Sequence, residues 1–436
     1  MFAYYFELGL RSLRSSRGLT ALMLLSIAMG VAACMTTLTV YHVLSGDPIP
    51  HKSSRLFNVQ LDPKRAANRD DAEPPQQLTR MDAENLLRDK RAVHQVMMSG
   101  AFIAVDPEGS GKAEAPPYFS SARWTSADFF QMFETPFLFG NGWSAAEDEA
   151  KARVIVIGKE TNDKLFGGAD SRGKTVRLRD KDFTVIGVLN EWRPAPHYFD
   201  LYLGSYSKPA ELYVPLQTAM DLHFGRAGNM DCWGEANGVD ALSLQAECVW
   251  IQYWVQLDTP EQFKAYKDYL VQYSAAQKAA GRYQVDPNVR LRNVMEWLNF
   301  RQVVPSDTRL QVWLAFGFLL VCLTNAVGLL LAKCLRRSGE IGVRRALGAR
   351  QSSIFMQFLV EAGSLGLVGG VLGLGLTWTG LWVVRQNPSP YAALAQLDWQ
   401  MLGTTIGLSL LASLLAGLLP AWRACQVTPA LQLKVQ

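Results

Sequence analysis

Residues Leu19 to Val43 read LTALMLLSIAMGVAACMTTLTVYHV, a run without Asp, Glu, Lys or Arg. A bilayer core is crossed by about 20 consecutive apolar residues in helical form, so this stretch is long enough to span one. Three more nearly uncharged runs follow, Leu310 to Ala332, Ile354 to Val384 and Met401 to Leu419. Between the first two lies Leu44 to Asp307, polar, loop-rich and long enough for a folded domain. The expected fold class is a membrane protein, four transmembrane α-helices with a large α+β extracytoplasmic domain between helices 1 and 2. Composition agrees: charged residues are 19%, apolar residues 49%, and mean hydropathy is +0.03, a balance that suits a hybrid of membrane and aqueous parts. A net charge of +4, with its basic residues beside apolar runs, argues against nucleic acid as a partner.

Lys and Arg close to span ends set orientation. Arg11, Arg14 and Arg17 precede the first span, Lys333, Arg336, Arg337, Arg344, Arg345 and Arg350 fill the second-to-third connection, and Arg423 and Lys434 follow the fourth. All fall on one side, which places both termini in the cytoplasm and the large domain outside it, in the periplasm of a Gram-negative cell. Tyr41, Trp313, Trp382 and Trp399 then sit near the outer interface and Trp422 near the inner one, where amphipathic rings belong. The first run is too long for the core of a cleaved signal peptide and lacks a clear cleavage site, so it is read as a retained span. Residues 1–17 are expected as a cytoplasmic amphipathic interfacial helix, 18–43 as the first span, 44–307 as the outer domain with an inserted lobe at about 194–248, and 308–332 as the second span. A cytoplasmic segment (333–353), a third span (354–385), a short outer loop (386–400), a fourth span (401–420) and a cytoplasmic tail (421–436) complete the chain.

Within the outer domain, alternation predicts strands at Arg55–Leu61, Tyr118–Trp124, Arg153–Ile157, Thr175–Leu178, Phe183–Leu189, Glu211–Val214, Val249–Leu257 and Val289–Val294. Helical patterns cover Leu78–Asp89, Ser126–Phe133, Lys159–Leu165 and Pro260–Ala279. Cys232 and Cys248 are the two cysteines of this domain, and an oxidising compartment favours a bridge between them over two unpaired thiols. His42, His51, His94, His197 and His223 show no ligand spacing with either cysteine, so no metal is expected. Gly168 to Thr175, GADSRGKT, satisfies the phosphate-loop pattern. Its context is reversed, since a helical KETNDKLFG precedes it and an alternating TVRLRDKDFTVIGVL follows, where a phosphate loop needs a strand before and a helix after. It is read as a Gly-rich surface turn.

After the second span, Arg337 to Arg350 reads RSGEIGVRRALGAR, suited to a short helix on the cytoplasmic face with Ile341, Val343, Ala346 and Leu347 offering apolar contact. The third span carries two overlapping small-residue pairs, Gly366/Gly370 and Gly369/Gly373, whose spacing lets helix backbones approach closely, within the chain or across a dimer. Glu361, toward the inner end of that span, is a functional candidate or the partner of a neighbouring Arg. Asn325 is read as a helix–helix hydrogen bonder.

GEIGVRRALGAR between two spans, FLVEAGSLGLVGGVLG opening the next and PAWRACQVTPALQL after the last resemble the FtsX/MacB-type ABC transporter permeases. The outer VIVIGKETNDKLFGG and GKTVRLRDKDFTVIGVL resemble the MacB-type periplasmic core domain. The resemblance implies a porter-like lobe with a smaller companion lobe, and a dimer formed with a second permease copy or a homologous permease. It implies coupling to cytoplasmic ABC ATPase subunits through Glu340, Ile341, Gly342, Arg344, Arg345, Leu347 and Gly348, by docking rather than catalysis. No cofactor is expected on this chain; ATP and Mg belong to the ATPase, expected as a separate chain. A periplasmic adaptor, an outer-membrane channel and membrane lipids are the remaining partners in such systems. The expected function is export or extrusion of a substrate by mechanotransmission, ATP-driven motion of the outer domain. The alternative is a transmembrane signal relay regulating a periplasmic cell-wall hydrolase.

Overall fold

A computed structural model of the chain describes residues 17–64, 73–110, 116–234, 240–386, 391–397 and 399–425. The interfacial helix expected over 1–17, apart from Arg17, and most of the 421–436 tail lie outside the described residues. Two compact units are present, one within Met1–Ser45 and Val304–Gln436, the other Gly46–Val303. Helix α1 (Arg17–Ser45) opens the first.

The second unit begins with strands β1 (Leu56–Gln60) and β2 (Leu78–Thr79), helix α2 (Arg80–Asp89) and the long strand β3 (His94–Asp106). It continues through β4 (Tyr118–Thr125), α3 (Phe129–Met132), β5 (Phe137–Gly140), α4 (Ala145–Glu149), β6 (Val154–Ile157) and α5 (Lys159–Phe166). There follow β7 (Thr175–Leu178), β8 (Lys181–Leu189), β9 (Leu212–Pro215), α6 (Leu216–Asp221), β10 (Arg226–Ala227) and β11 (Asp231–Cys232). Strand β12 (Cys248–Gln256), α7 (Pro260–Ala279), β13 (Arg290–Asn293) and α8 (Val294–Phe300) close it. Local chemistry fixes the helix starts. The Thr79 hydroxyl accepts from the Asp82 N–H at the head of α2, and Thr259 accepts from the Gln262 N–H ahead of Pro260, whose missing N–H costs nothing at a first helical position.

The main run of the sheet is β13-β1-β12-β3-β4-β9-β6-β8-β5. Every residue of β12, CVWIQYWVQ, is buried, as befits a strand covered on both faces. Successive side chains of a strand point to opposite faces, and the core divides accordingly. Val59, Ile155, Ile157, Leu212 and Val214 join one apolar cluster, while Leu56, Val156, Tyr213 and Trp254 join a second, aromatic one with Phe129, Phe133, Tyr198, Phe199 and Trp297.

Two features depart from the sequence reading. Strand β3 was not among the expected strands, although it pairs with β4 from Met98 to Val105 and with β12 from His94 to Met98. Its HQVMMSGAFIAVD is poor in the residues that mark strands, and Gly100 stands mid-strand because a Cβ there would lie 2.3 Å from Leu203 Cδ1. The second is a correction: 194–248 is not an inserted lobe. β9 runs between β4 and β6 in the middle of the sheet, and Tyr198 and Phe199 belong to the aromatic core. The indole N–H groups of Trp254 and Trp297 donate to the carbonyls of Phe199 (3.2 Å) and Tyr198 (3.1 Å), and Asp200 meets Arg123 at 2.9 Å with both side chains buried. A stretch whose Tyr, Gly, Trp and Pro content reads as an inserted lobe thus contributes a strand and core side chains to the sheet.

Cys232 and Cys248 form a disulfide between paired strands β11 and β12. Closing a loop of 16 residues' separation is worth about 3 kcal/mol in the chain-entropy account. The phosphate-loop look-alike lies between α5, capped by left-handed Gly167, and β7, so it has helix before and strand after. The Asp148 carboxyl in α4 is pushed by burial from its ordinary 3.8 up to about 7, against the opposing N–H groups of Ala127 and Gln217. Because the folded state holds this proton more tightly than the unfolded chain, stability of the outer unit is expected to fall as pH rises from about 4 to about 7 and then level off. Asp148→Asn is expected to remove that slope, raising the unfolding temperature of the full chain at pH 8 while leaving pH 4 little changed.

In the first unit, α9 (Ser306–Arg336), α10 (Ser338–Ala346), α11 (Gln351–Gln386) and α12 (Trp399–Cys425) join α1. Of these, α1, α9, α11 and α12 are long and apolar enough to cross a membrane. Met23, Ile27, Val31 and Met35 of α1 repeat at helical spacing and pack with Leu319 and Ala326 of α9, Leu365 of α11 and Ala416 of α12. The glycines of α11 work in two directions. A Cβ on Gly366 would lie 1.9 Å from Ser413 Oγ and one on Gly370 3.0 Å from Ser409 Oγ, both on α12. On Gly369 it would lie 3.0 Å from Ile27 Cγ2 and on Gly373 3.3 Å from Val31 Cγ1, both on α1. Ser409 Oγ donates to the Gly366 carbonyl at 2.6 Å, a hydrogen bond that only close backbones allow. These contacts lie within one chain.

Candidate functional site

The site is built where α9, α10 and the start of α11 meet. Lys333 and Arg337 stand one helical turn apart at the end of α9, and both reach Glu361 of α11: Lys333 Nζ lies 2.5 Å from Oε1 and Arg337 Nη1 3.8 Å from Oε2. The Lys333 and Glu361 side chains are buried, so this is a desolvated ion centre that fixes the end of one spanning helix to the next.

Helix α10 rests on that base. Ile341 is buried in a cluster with Cys334, Ile354, Phe358 and Ala421, drawn from α9, α11 and α12. Gly342 beside it is buried too. Arg344 pairs with Glu340 at 2.6 Å and donates to Gln357 Oε1 at 3.3 Å, tying α10 to α11 along its exposed edge. Gly348, at φ +95°, turns the chain out of α10, and the Ala349 N–H donates to the Arg344 carbonyl as it does so. A side chain at that φ would be strained.

Opposite the buried edge, α10 presents apolar side chains to solvent. Val343 is 52% and Leu347 83% exposed, with Arg345 half-buried beside them. An amphipathic helix anchored by one apolar residue and showing two others outward is a surface shaped for a partner. Of the seven expected coupling residues, Ile341 and Gly342 are buried against the bundle, while Glu340, Arg344, Arg345, Leu347 and Gly348 lie at the surface or in its turn. Val343, outside those seven, is exposed on the same side as Leu347. Lys333 was read only as a charge fixing topology; its spacing of four from Arg337, across the end of α9, is the signal that they share a partner.

Residues 20–273 match the MacB-like periplasmic core domain, and residues 312–429 match the FtsX-like permease C-terminal domain. This chain belongs to the MacB-like permease family. It is a multi-pass membrane protein in which the first match takes in nearly all of α1 and most of the outer unit, and the second takes in α10, α11, α12 and most of α9. Among curated relatives, it is 28% identical to the macrolide export ATP-binding/permease protein MacB of Rhodospirillum rubrum, over 98% of this chain and 59% of that one. It is 25% identical to the pyoverdine export ATP-binding/permease protein PvdT of Pseudomonas aeruginosa, over 73% of this chain and 43% of the relative. The chain spans between 38% and 59% of the length of the curated relatives it matches. Among solved structures, the periplasmic region of MacB from Actinobacillus actinomycetemcomitans aligns with 59% of this chain and 96% of that chain, at 13% identity and a TM-score of 0.36.

Proposed function

We propose that this chain is the permease of an ATP-driven exporter in the inner membrane, with both termini cytoplasmic and the outer unit periplasmic. A cytoplasmic ABC ATPase, carrying the ATP and Mg, docks on α10 and through it drives motion of the outer unit. The observation that carries this reading is the rigid seat of α10: the Lys333–Glu361–Arg337 centre and Ile341 join the helix to three spans, so a push on Val343 and Leu347 is a push on the bundle. The basic residues flanking the spans support the orientation. A second permease copy, or a homologous permease, pairs with this one; α9 exposes Thr324, Asn325 and Gly328 beside Ser26 of α1, small and polar groups that a neighbouring helix satisfies better than lipid. The substrate is a small molecule handled on the periplasmic side and passed to an adaptor and an outer-membrane channel, as the export named in the relatives suggests.

The test is recovery of the ATPase on the affinity-tagged permease in mild detergent. Val343→Asp with Leu347→Asp is expected to weaken association at least tenfold, about 1.4 kcal/mol, while leaving the permease folded because both positions are exposed. Equal recovery of ATPase on both permeases would contradict docking at α10, and recovery on neither would favour the signal-relay alternative.

A further inference from the structure

The outer unit contains a cavity of about 570 Å³ between α2 and α4, with Leu87 and Met97 among its apolar lining. Two of its lining side chains are almost fully buried and still leave an acceptor unused. Asp148 is 8% exposed and Gln95 4%, and neither Asp148 Oδ1 nor Gln95 Oε1 has a hydrogen-bond partner among the described residues. Buried acceptors are ordinarily paired, so two unpaired ones lining one cavity ask for a donor from outside the chain. The rim settles its charge. Asp128 is engaged by His94 (3.4 Å) and by the Gln95 N–H, and Glu84 by Arg80 (2.7 Å). Arg88, Lys90 and Glu149 also line the cavity but are exposed, so Asp148, faced by the N–H groups of Ala127 and Gln217, is its one buried carboxyl among the described residues. An anion there would face that carboxylate at low dielectric; a cation would neutralise it. Burial also holds this carboxyl close to neutrality in its titration, a cost to the fold that a bound cation would relieve.

We propose that this cavity is a binding site for an amphiphilic amine, whose ammonium group pairs with Asp148, whose further N–H or O–H donates to Gln95 Oε1, and whose apolar body rests on Leu87 and Met97. The assignment stands on the outer unit alone and needs no ATPase, so its failure and that of α10 docking are separate results.

The experiment is calorimetric titration of the full chain in phosphatidylcholine nanodiscs at pH 8 with 4-phenylbutylammonium, empty nanodiscs correcting for partition. Saturable binding is expected, at least tenfold tighter than that of the neutral 4-phenylbutan-1-ol. Asp148→Asn is expected to weaken amine binding at least tenfold. Ala145→Trp, at an exposed position of the cavity wall, is expected to do the same by filling the opening, and serves as the second variant should the first fail to fold. Absence of saturable binding, as for a cavity filled by water only, would overturn the proposal. So would equal affinity for the alcohol, or variants that bind the amine as the parent does.

Discussion

Glu361→Ala is expected to destabilise the membrane unit by about 3–5 kcal/mol, because it leaves Lys333 buried without its carboxylate and removes the anion that Arg337 also reaches. The cost of that change is not the worth of the ion pair. Taking two charges out of water is itself expensive, so a buried pair contributes little net stability against well-packed apolar residues, whereas half of a pair is a large liability. Glu361→Leu combined with Lys333→Leu is therefore expected to recover most of the loss. The check is a double-mutant cycle of thermal unfolding in detergent, with the fraction of monodisperse protein as a second readout. An Ala variant that unfolds with the parent would mean that the ion centre does not hold α9 to α11.

Gly366→Ile is expected to cost more than about 3 kcal/mol, beyond ordinary overpacking. The Cβ alone would lie 2.7 Å from Ser413 Cβ and 3.1 Å from the Ser409 carbonyl oxygen, atoms that no rotamer change can move away. Helices α11 and α12 would have to separate, and the Ser409 hydroxyl would lose its bond to the Gly366 carbonyl. Gly375→Ile on the same helix is the control, since a Cβ there meets nothing within 4 Å. It is expected to stay within about 0.5 kcal/mol of the parent. Equal effects at the two positions in the same unfolding assay would refute the close approach of α11 and α12.

The spans were legible because a bilayer demands long uncharged runs and soluble folds rarely supply them. The glycine pairs announced close packing, and the offset of three between Gly366/Gly370 and Gly369/Gly373 turns them toward two neighbours; spacing alone left open whether those neighbours lay in the same chain. The phosphate-loop look-alike could be set aside from its flanks, because the order helix, loop, strand cannot aim backbone N–H groups at a phosphate. In the outer unit, β3 stayed hidden since Met, Ala, Ser and Gly carry little strand signal and its stability comes from partners distant in sequence. The 194–248 stretch misled for a related reason: His197, Tyr198, Phe199 and Asp200 are loop-like in composition, and only Arg123, Trp254 and Trp297, far along the chain, make them core. At the candidate site, Glu361 was visible as a carboxylate in a span. Which cations answer it depends on how α9 and α11 face each other, as does the inward turn of Ile341.

The most direct test of the proposed coupling from α10 to the periplasmic side is a spin-label distance in a purified complex of the permease with its proposed ATPase. Labels at Asp180→Cys, in the exposed turn between β7 and β8, report the separation of the outer units of two permease copies. The expected result is a distance distribution that shifts between the nucleotide-free and ATP–vanadate states and ceases to shift when Val343 and Leu347 are both changed to Asp. An identical distribution in the two states, in a complex whose ATPase turns over at its full rate, would contradict the coupling.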